Sequence, residues 1–132
     1  MGFNGTLTTS TWAGEDQSWI ANDKGLTTLR SITLNMALFT PATHFPNGYM
    51  PSGMTLGIHT ATGLYGPYLE AAVDGRTVLR GFLFSSEYIA DVAGKITCAM
   101  FWEGIIRESR LPTNHGLDAN GKVDLPTVRY EA

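Results

Sequence analysis

The chain of 132 residues has one cysteine, Cys98, so no internal disulfide can form and no oxidising compartment is implied. Charge is scarce as well. Asp, Glu, Lys and Arg make up 16% of the residues, against about 25% in a typical globular chain. The nine Lys and Arg are dispersed and outnumbered by twelve Asp and Glu, for a net charge of −3. Phosphate backbones are bound by clustered basic side chains, so nucleic acid is not expected as a partner. No apolar run approaches the ~20 residues needed to span a bilayer. The first residues, Met1-Gly2-Phe3-Asn4-Gly5, lack the basic and apolar regions of a signal peptide. Gly2 and Thr6 fit the outline of a myristoylation site, but no polybasic stretch supplies a second membrane signal. A membrane is therefore not expected as a partner, and the protein is expected to be soluble.

Motifs that would carry chemistry are also missing. His44, His59 and His115 are far apart, and none stands in the local spacing that makes a zinc site credible. Cys98 lies in an apolar stretch, whereas a nucleophilic thiol needs a basic, partly exposed setting. There is no Gly-x-Ser-x-Gly elbow and no phosphate-cradling loop ending in Lys-Ser or Lys-Thr. The carboxylates Glu15, Asp16, Glu70 and Asp74 fall in segments that read as arm or connection. Neither an enzyme nor a bound cofactor or metal is expected.

What the chain does have is 43% apolar residues, 15 Gly and 16 Thr, a composition of strands and tight turns. A chain of this length buries roughly two-thirds of its unfolded surface, enough for a core without staples. Residues 1–28 are rich in Thr, Ser, Gly, Asn and Asp, with isolated large residues and no sustained period, and read as a flexible N-terminal arm. Residues 29–132 read as a β-rich body. Ile32, Leu34, Met36 and Leu38 alternate with small or polar residues, a half-buried strand that Thr40-Pro41 should end. Turn signals fill 44–53, and Met54 to Thr60 is a short strand. Val78 to Phe84 is another, in which Gly81 marks a bulge or a close backbone approach. Residues 85–94 connect onward, with room for one helical turn. Ile96–Trp102 and Ile105–Ser109 flank Glu103-Gly104 and read as a hairpin. The tail has a weak helical pattern over 117–123 and a final extended stretch through Val128 and Tyr130. The expected fold is mainly β, small and mostly antiparallel, with little helix and an extended N-terminal arm.

The aromatic residues are the candidates for contact. Trp12 and Trp19 stand in a polar segment with no core of its own, so each should bury against a partner, a neighbouring copy or the body. Tyr65 and Tyr68 flank Gly66-Pro67, where packing over their own turn competes with a place in an interface.

Pro51-Ser52-Gly53-Met54-Thr55-Leu56-Gly57-Ile58-His59-Thr60-Ala61-Thr62-Gly63-Leu64-Tyr65-Gly66-Pro67-Tyr68 resembles the head decoration protein family of tailed bacteriophages, that of the lambda decoration protein. The resemblance runs on through Asp74-Gly75, Gly81-Phe82-Leu83 and the stretch leading to Gly104, covering about half the chain. It implies a β-clip-like fold and homotrimers bound to the major capsid protein on the outer surface of the expanded capsid. The protein would be made in the bacterial cytoplasm and would stabilise the virion against internal DNA pressure. By analogy the arm would grip the shell, through Thr6, Leu7, Thr8, Thr9, Ser10, Thr11, Trp12 and Trp19. Alternating large and β-compatible small residues over 6–12 suit strand addition to an exposed sheet edge. The rival readings are a carbohydrate- or surface-binding β module using Trp12, Trp19, Tyr65 and Tyr68, and a nucleotide hydrolase on a trimeric β scaffold.

Overall fold

Residues 16–21 and 24–132 are described by the structure, a computed structural model. The alternation at Ile32 and Leu34 produces β1 (Arg30–Asn35), with both side chains turned into the core. The strand ends before the apolar pattern does. Asn35 Oδ1 accepts the Ala37 N–H at 3.1 Å and caps a 3-10 turn at Met36–Leu38, so Met36 is buried from a turn and not from a strand. Pro41 then opens α1 (Pro41–His44), where its missing N–H costs nothing.

The remaining elements are β2 (Tyr49–Met50), β3 (Thr55–His59), β4 (Leu64–Pro67), β5 (Gly81–Leu83), β6 (Glu87–Tyr88), β7 (Lys95–Phe101), β8 (Gly104–Arg107), α2 (Ala119–Asp124) and β9 (Val128–Glu131). Four of them close a barrel with β1, in the order β1-β4-β3-β5-β7. Its pairings are antiparallel except the joint between β1 and β4, where Leu34 sits beside Tyr65. β5 is shorter than its apolar run, and the connection after it carries no helical turn: β6 pairs with β2. The fold is mainly β and mostly antiparallel, with two short α-helices among the described residues.

The expected hairpin across Glu103-Gly104 is absent. Both edges of β7 are already taken, by β1 and β5, so β8 has no edge to join. Gly104 does adopt a positive φ of 131°, but the turn it makes leads away from the barrel, and β8 pairs in parallel with β9.

Adjacent residues on β5 and β7 point to opposite sides of the barrel wall. Leu83 and Met100 face in, where they join Ile32, Leu34, Leu56 and Tyr65. Phe82 and Phe101 face out and form a second core with Trp19, Leu79, Ile106 and Val128. The wall is thin where they meet. A Cβ on Gly81 would lie 2.6 Å from Met100 Cγ and 2.7 Å from the Phe101 carbonyl oxygen, the close approach expected of this glycine.

Candidate functional site

The residues named for contact fall in three different places. Thr6, Leu7, Thr8, Thr9, Ser10, Thr11 and Trp12 lie outside the described residues. Trp19 is part of the body. Its ring is 0% exposed, centred 5.6 Å from Phe82 and 5.2 Å edge-on from Phe101. The indole N–H donates to Ser52 Oγ at 2.9 Å, and that hydroxyl donates onward to the Phe84 carbonyl at 2.6 Å. Main-chain bonds hold the segment on either side. Arg107 N–H donates to the Trp19 carbonyl at 2.7 Å, and Ala21 N–H to the Ile105 carbonyl at 2.9 Å, so that Ile20 bridges Ile106. Gln17 Nε2 reaches the Phe84 carbonyl at 2.7 Å. The Arg107 guanidinium adds bonds to the Ser18 and Ile20 carbonyls at 3.0 and 3.2 Å. Residues 16–21 are thus fastened to β8 and do not belong to an arm ending at 28. Trp19 is removed from the contact residues because its apolar surface is satisfied within the chain. Hydrogen bonds from Ser18 also hold the Asp16 carboxyl below the usual carboxylate range.

The two tyrosines pack inward. Tyr65 is 9% exposed, on the barrel wall, and Tyr68 is 2% exposed, in the outer core. The Tyr68 hydroxyl lies 2.7 Å from Asp118 Oδ1 and 2.8 Å from Glu70 Oε2, and its one hydrogen can serve only one of them at a time. Burial and the two carboxylates raise its pKa far above the ordinary tyrosine value. Asp118 Oδ1 also accepts the Gly121 N–H at 2.8 Å, so Tyr68 steadies the N-cap of α2.

Residues 51–68 contain β3 and β4. β3 and β4 form an antiparallel hairpin in which Gly57 faces Gly66, and the two glycines leave room for the turn at 74–76 to lie across them. Asp74 clasps Arg76 at 3.0 Å and stands 3.9 Å from His59 Nε2. The bond from Arg76 holds the Asp74 carboxyl below its usual range.

Of the hollows that open on the surface among the described residues, two gather polar side chains of interest. In the first, of about 280 Å³, Arg30, Arg80 and Trp102 surround a floor that includes Tyr65, Leu79 and Met100. Arg30 has the same parity on β1 as Ile32 and Leu34 and opposes Met100 across β7. A charged residue in the inward phase of an apolar strand is the signal in the sequence that could have found this place; Arg80 and Trp102 carry none. The second hollow, about 240 Å³, is lined by His44, Thr55, Tyr68, Asn114 and His115. His44 Nδ1 accepts the Thr40 N–H at 2.9 Å, and His115 Nδ1 accepts the Leu117 N–H at 2.8 Å, so both rings are neutral with the proton on Nε2. Burial lowers both pKa values.

Nucleophilic chemistry finds no support at Cys98, whose thiol burial pushes up to about 12. Among the described residues no group of three or more His, Cys, Asp or Glu could hold a metal ion, and no helix is long and apolar enough to cross a membrane. No protein-family model, curated protein or solved structure matches the chain.

Proposed function

We propose that this chain is a head decoration protein of a tailed bacteriophage, bound as homotrimers to the major capsid protein on the outer surface of the expanded shell, where it stabilises the virion without catalysis. The observation that carries the reading is the order and spacing of the resembling segments over about residues 50–112. They supply β3, β4, β5 and β7, with Gly57, Gly66 and Gly81 each standing where a side chain would collide.

The fastening of residues 16–21 supports the role given to the arm. A segment that grips a lattice transmits load to its root, and here the root is a buried indole with main-chain bonds on both sides. Thr6 to Trp12 would add a strand to the coat protein. Each arm would hold weakly. Three on one trimer bind nearly intramolecularly after the first, which raises avidity by about 10²–10⁴. Preference for the expanded shell stabilises that shell by linkage. The carbohydrate-binding alternative draws on Trp12, Trp19, Tyr65 and Tyr68; Trp12 lies outside the described residues and the other three are buried.

Co-sedimentation with expanded and unexpanded shells tests this. The deletion must stop at Glu15, since removing residues through 28 would also take out Trp19 and the outer core. Full-length protein should pellet with expanded shells alone, and the variant lacking residues 2–15 should lose most binding. Indifference to both shells overturns the decoration reading, while equal binding by the truncated protein overturns the arm's part in it.

A further inference from the structure

The hollow between Arg30 and Arg80 has the makings of a recognition site. Neither guanidinium has an ion-pair or hydrogen-bond partner among the described residues. Arg30 is held instead by an aromatic face, its guanidinium carbon 5.3 Å from the centre of the Trp102 ring. Trp102 is fixed in turn, donating its indole N–H to the Thr28 carbonyl at 2.6 Å and accepting at its own carbonyl from the Thr127 hydroxyl. The backbones beneath both arginines are rigid. Arg30 is paired with Met100 on β7, and Arg80 N–H donates to the Leu56 carbonyl at 2.9 Å. The one acidic group in the wall, Asp124, uses Oδ2 to accept the Leu79 N–H at 3.2 Å. Two guanidiniums against one carboxylate leave a local positive charge on a chain whose net charge is −3.

We propose that this hollow binds a carboxylate side chain, flanked by an apolar residue, on an extended segment of a partner protein. A guanidinium fork matches a planar carboxylate through two parallel hydrogen bonds, and Arg30 is already orientated at little further entropic cost. Val78, Trp102 and Pro126, none of them buried, offer apolar surface next to the charges, which a free inorganic anion would leave unfilled. Size decides against a larger ligand. About 280 Å³ lies just under the ~300–1,000 Å³ of pockets that enclose drug-sized molecules, and suits one or two side chains. The proposal is independent of the decoration reading and stands or falls by itself.

The full-length protein, labelled for NMR, is titrated with N-acetyl-leucyl-glutamate amide, with its glutamine counterpart, and with inorganic phosphate at matched ionic strength. The glutamate peptide should give saturable shifts at the Arg30 and Arg80 Nε–H and the Trp102 indole N–H. The glutamine peptide should bind at least about tenfold more weakly, as expected on losing one charge-assisted hydrogen bond. Arg30→Gln and Arg80→Gln, both at exposed positions, should each weaken the glutamate peptide by a similar factor with the amide spectrum otherwise unchanged. Equal binding of the two peptides, no saturation up to the solubility limit, or phosphate binding as tightly as the glutamate peptide would each overturn the proposal.

Discussion

The interior of the barrel draws its side chains from Ile32 to Met100, whereas the outer core reaches from Trp19 to Val128. The first is filled by Leu, Ile and Met with a few aromatic rings at its margins. The second is centred on Trp19, Phe82 and Phe101, stacked at tilted and edge-on angles. Neighbouring strands and short connections bring most of the barrel together. The outer core needs both ends of the chain to return to one wall, closing much longer loops at greater entropic cost. The two are separated only by the backbones of β5 and β7. One molecule can thus hold one layer legible in local pattern and another that local pattern does not reveal.

Breaking the outer core should have the largest effect. Trp19→Ala is expected to cost about 3–5 kcal/mol, near the upper end of the range for Leu34→Ala in the barrel. Urea denaturation gives the totals and native-state amide exchange locates them. The Trp19 variant should lose protection in β8 and β9 while β1 and β7 keep theirs; uniform loss would erase the distinction between the layers. Ser52→Ala should cost about 1–3 kcal/mol, because the buried indole N–H of Trp19 loses its acceptor. A thermal midpoint unchanged from wild type would show that water replaces the hydroxyl.

Acid should act at the second hollow, where α1 meets the 114–117 segment. Thr43 O accepts from Asn114 Nδ2 at 3.3 Å, with His44 on one side and His115 on the other. Burial lowers both folded pKa values below the unfolded value, about 6.5. The Arg76 charge also opposes protonation of His44, while Glu108 favours it at His115. The stability gained by keeping these rings neutral is fully present above pH 6.5 and is lost as pH falls through the folded values. Protonated Nδ1 atoms could not accept from Thr40 and Leu117, so those two amides should lose exchange protection first. A flat stability profile between pH 7 and 5 would contradict this. The smallest effect belongs to Lys122→Met, which removes the half-exposed pair with Glu108, 2.6 Å apart. It should cost under about 1 kcal/mol, and less at high salt.

Legibility followed the same division. Period-two patterning located β1 and β3, the turn signal at Glu103-Gly104 located β7, and Gly81 announced the place where the wall is thinnest. Asn35 was the one residue that revealed why the first strand stops early, through a side-chain cap that apolar pattern does not register. The hairpin at Gly104 failed for a global reason: local turn chemistry was right, but barrel closure had used both edges of β7. Trp19 was read as needing a partner. It has one, formed by Phe82, Phe101 and Ser52, and nothing near it in the chain says so. Tyr65 and Tyr68 were open between packing and contact, and burial decided for packing. Arg30 could have been flagged by its phase on β1, but its proximity to Arg80 depends on the barrel itself.

Closure of the barrel bears on how copies of this chain behave when crowded. Polymerising β-proteins grow by recruiting strands onto unpaired main-chain groups, and a sheet joined to itself offers none. Among the described residues the two-residue β2 and β6 and the outer side of β9 stand outside that barrel. Along β9 the exposed Arg129 and Glu131 alternate with Val128 and Tyr130, opposite charges that an incoming strand would have to match. A neighbouring copy thus meets few unpaired main-chain groups on the barrel onto which it could add a strand.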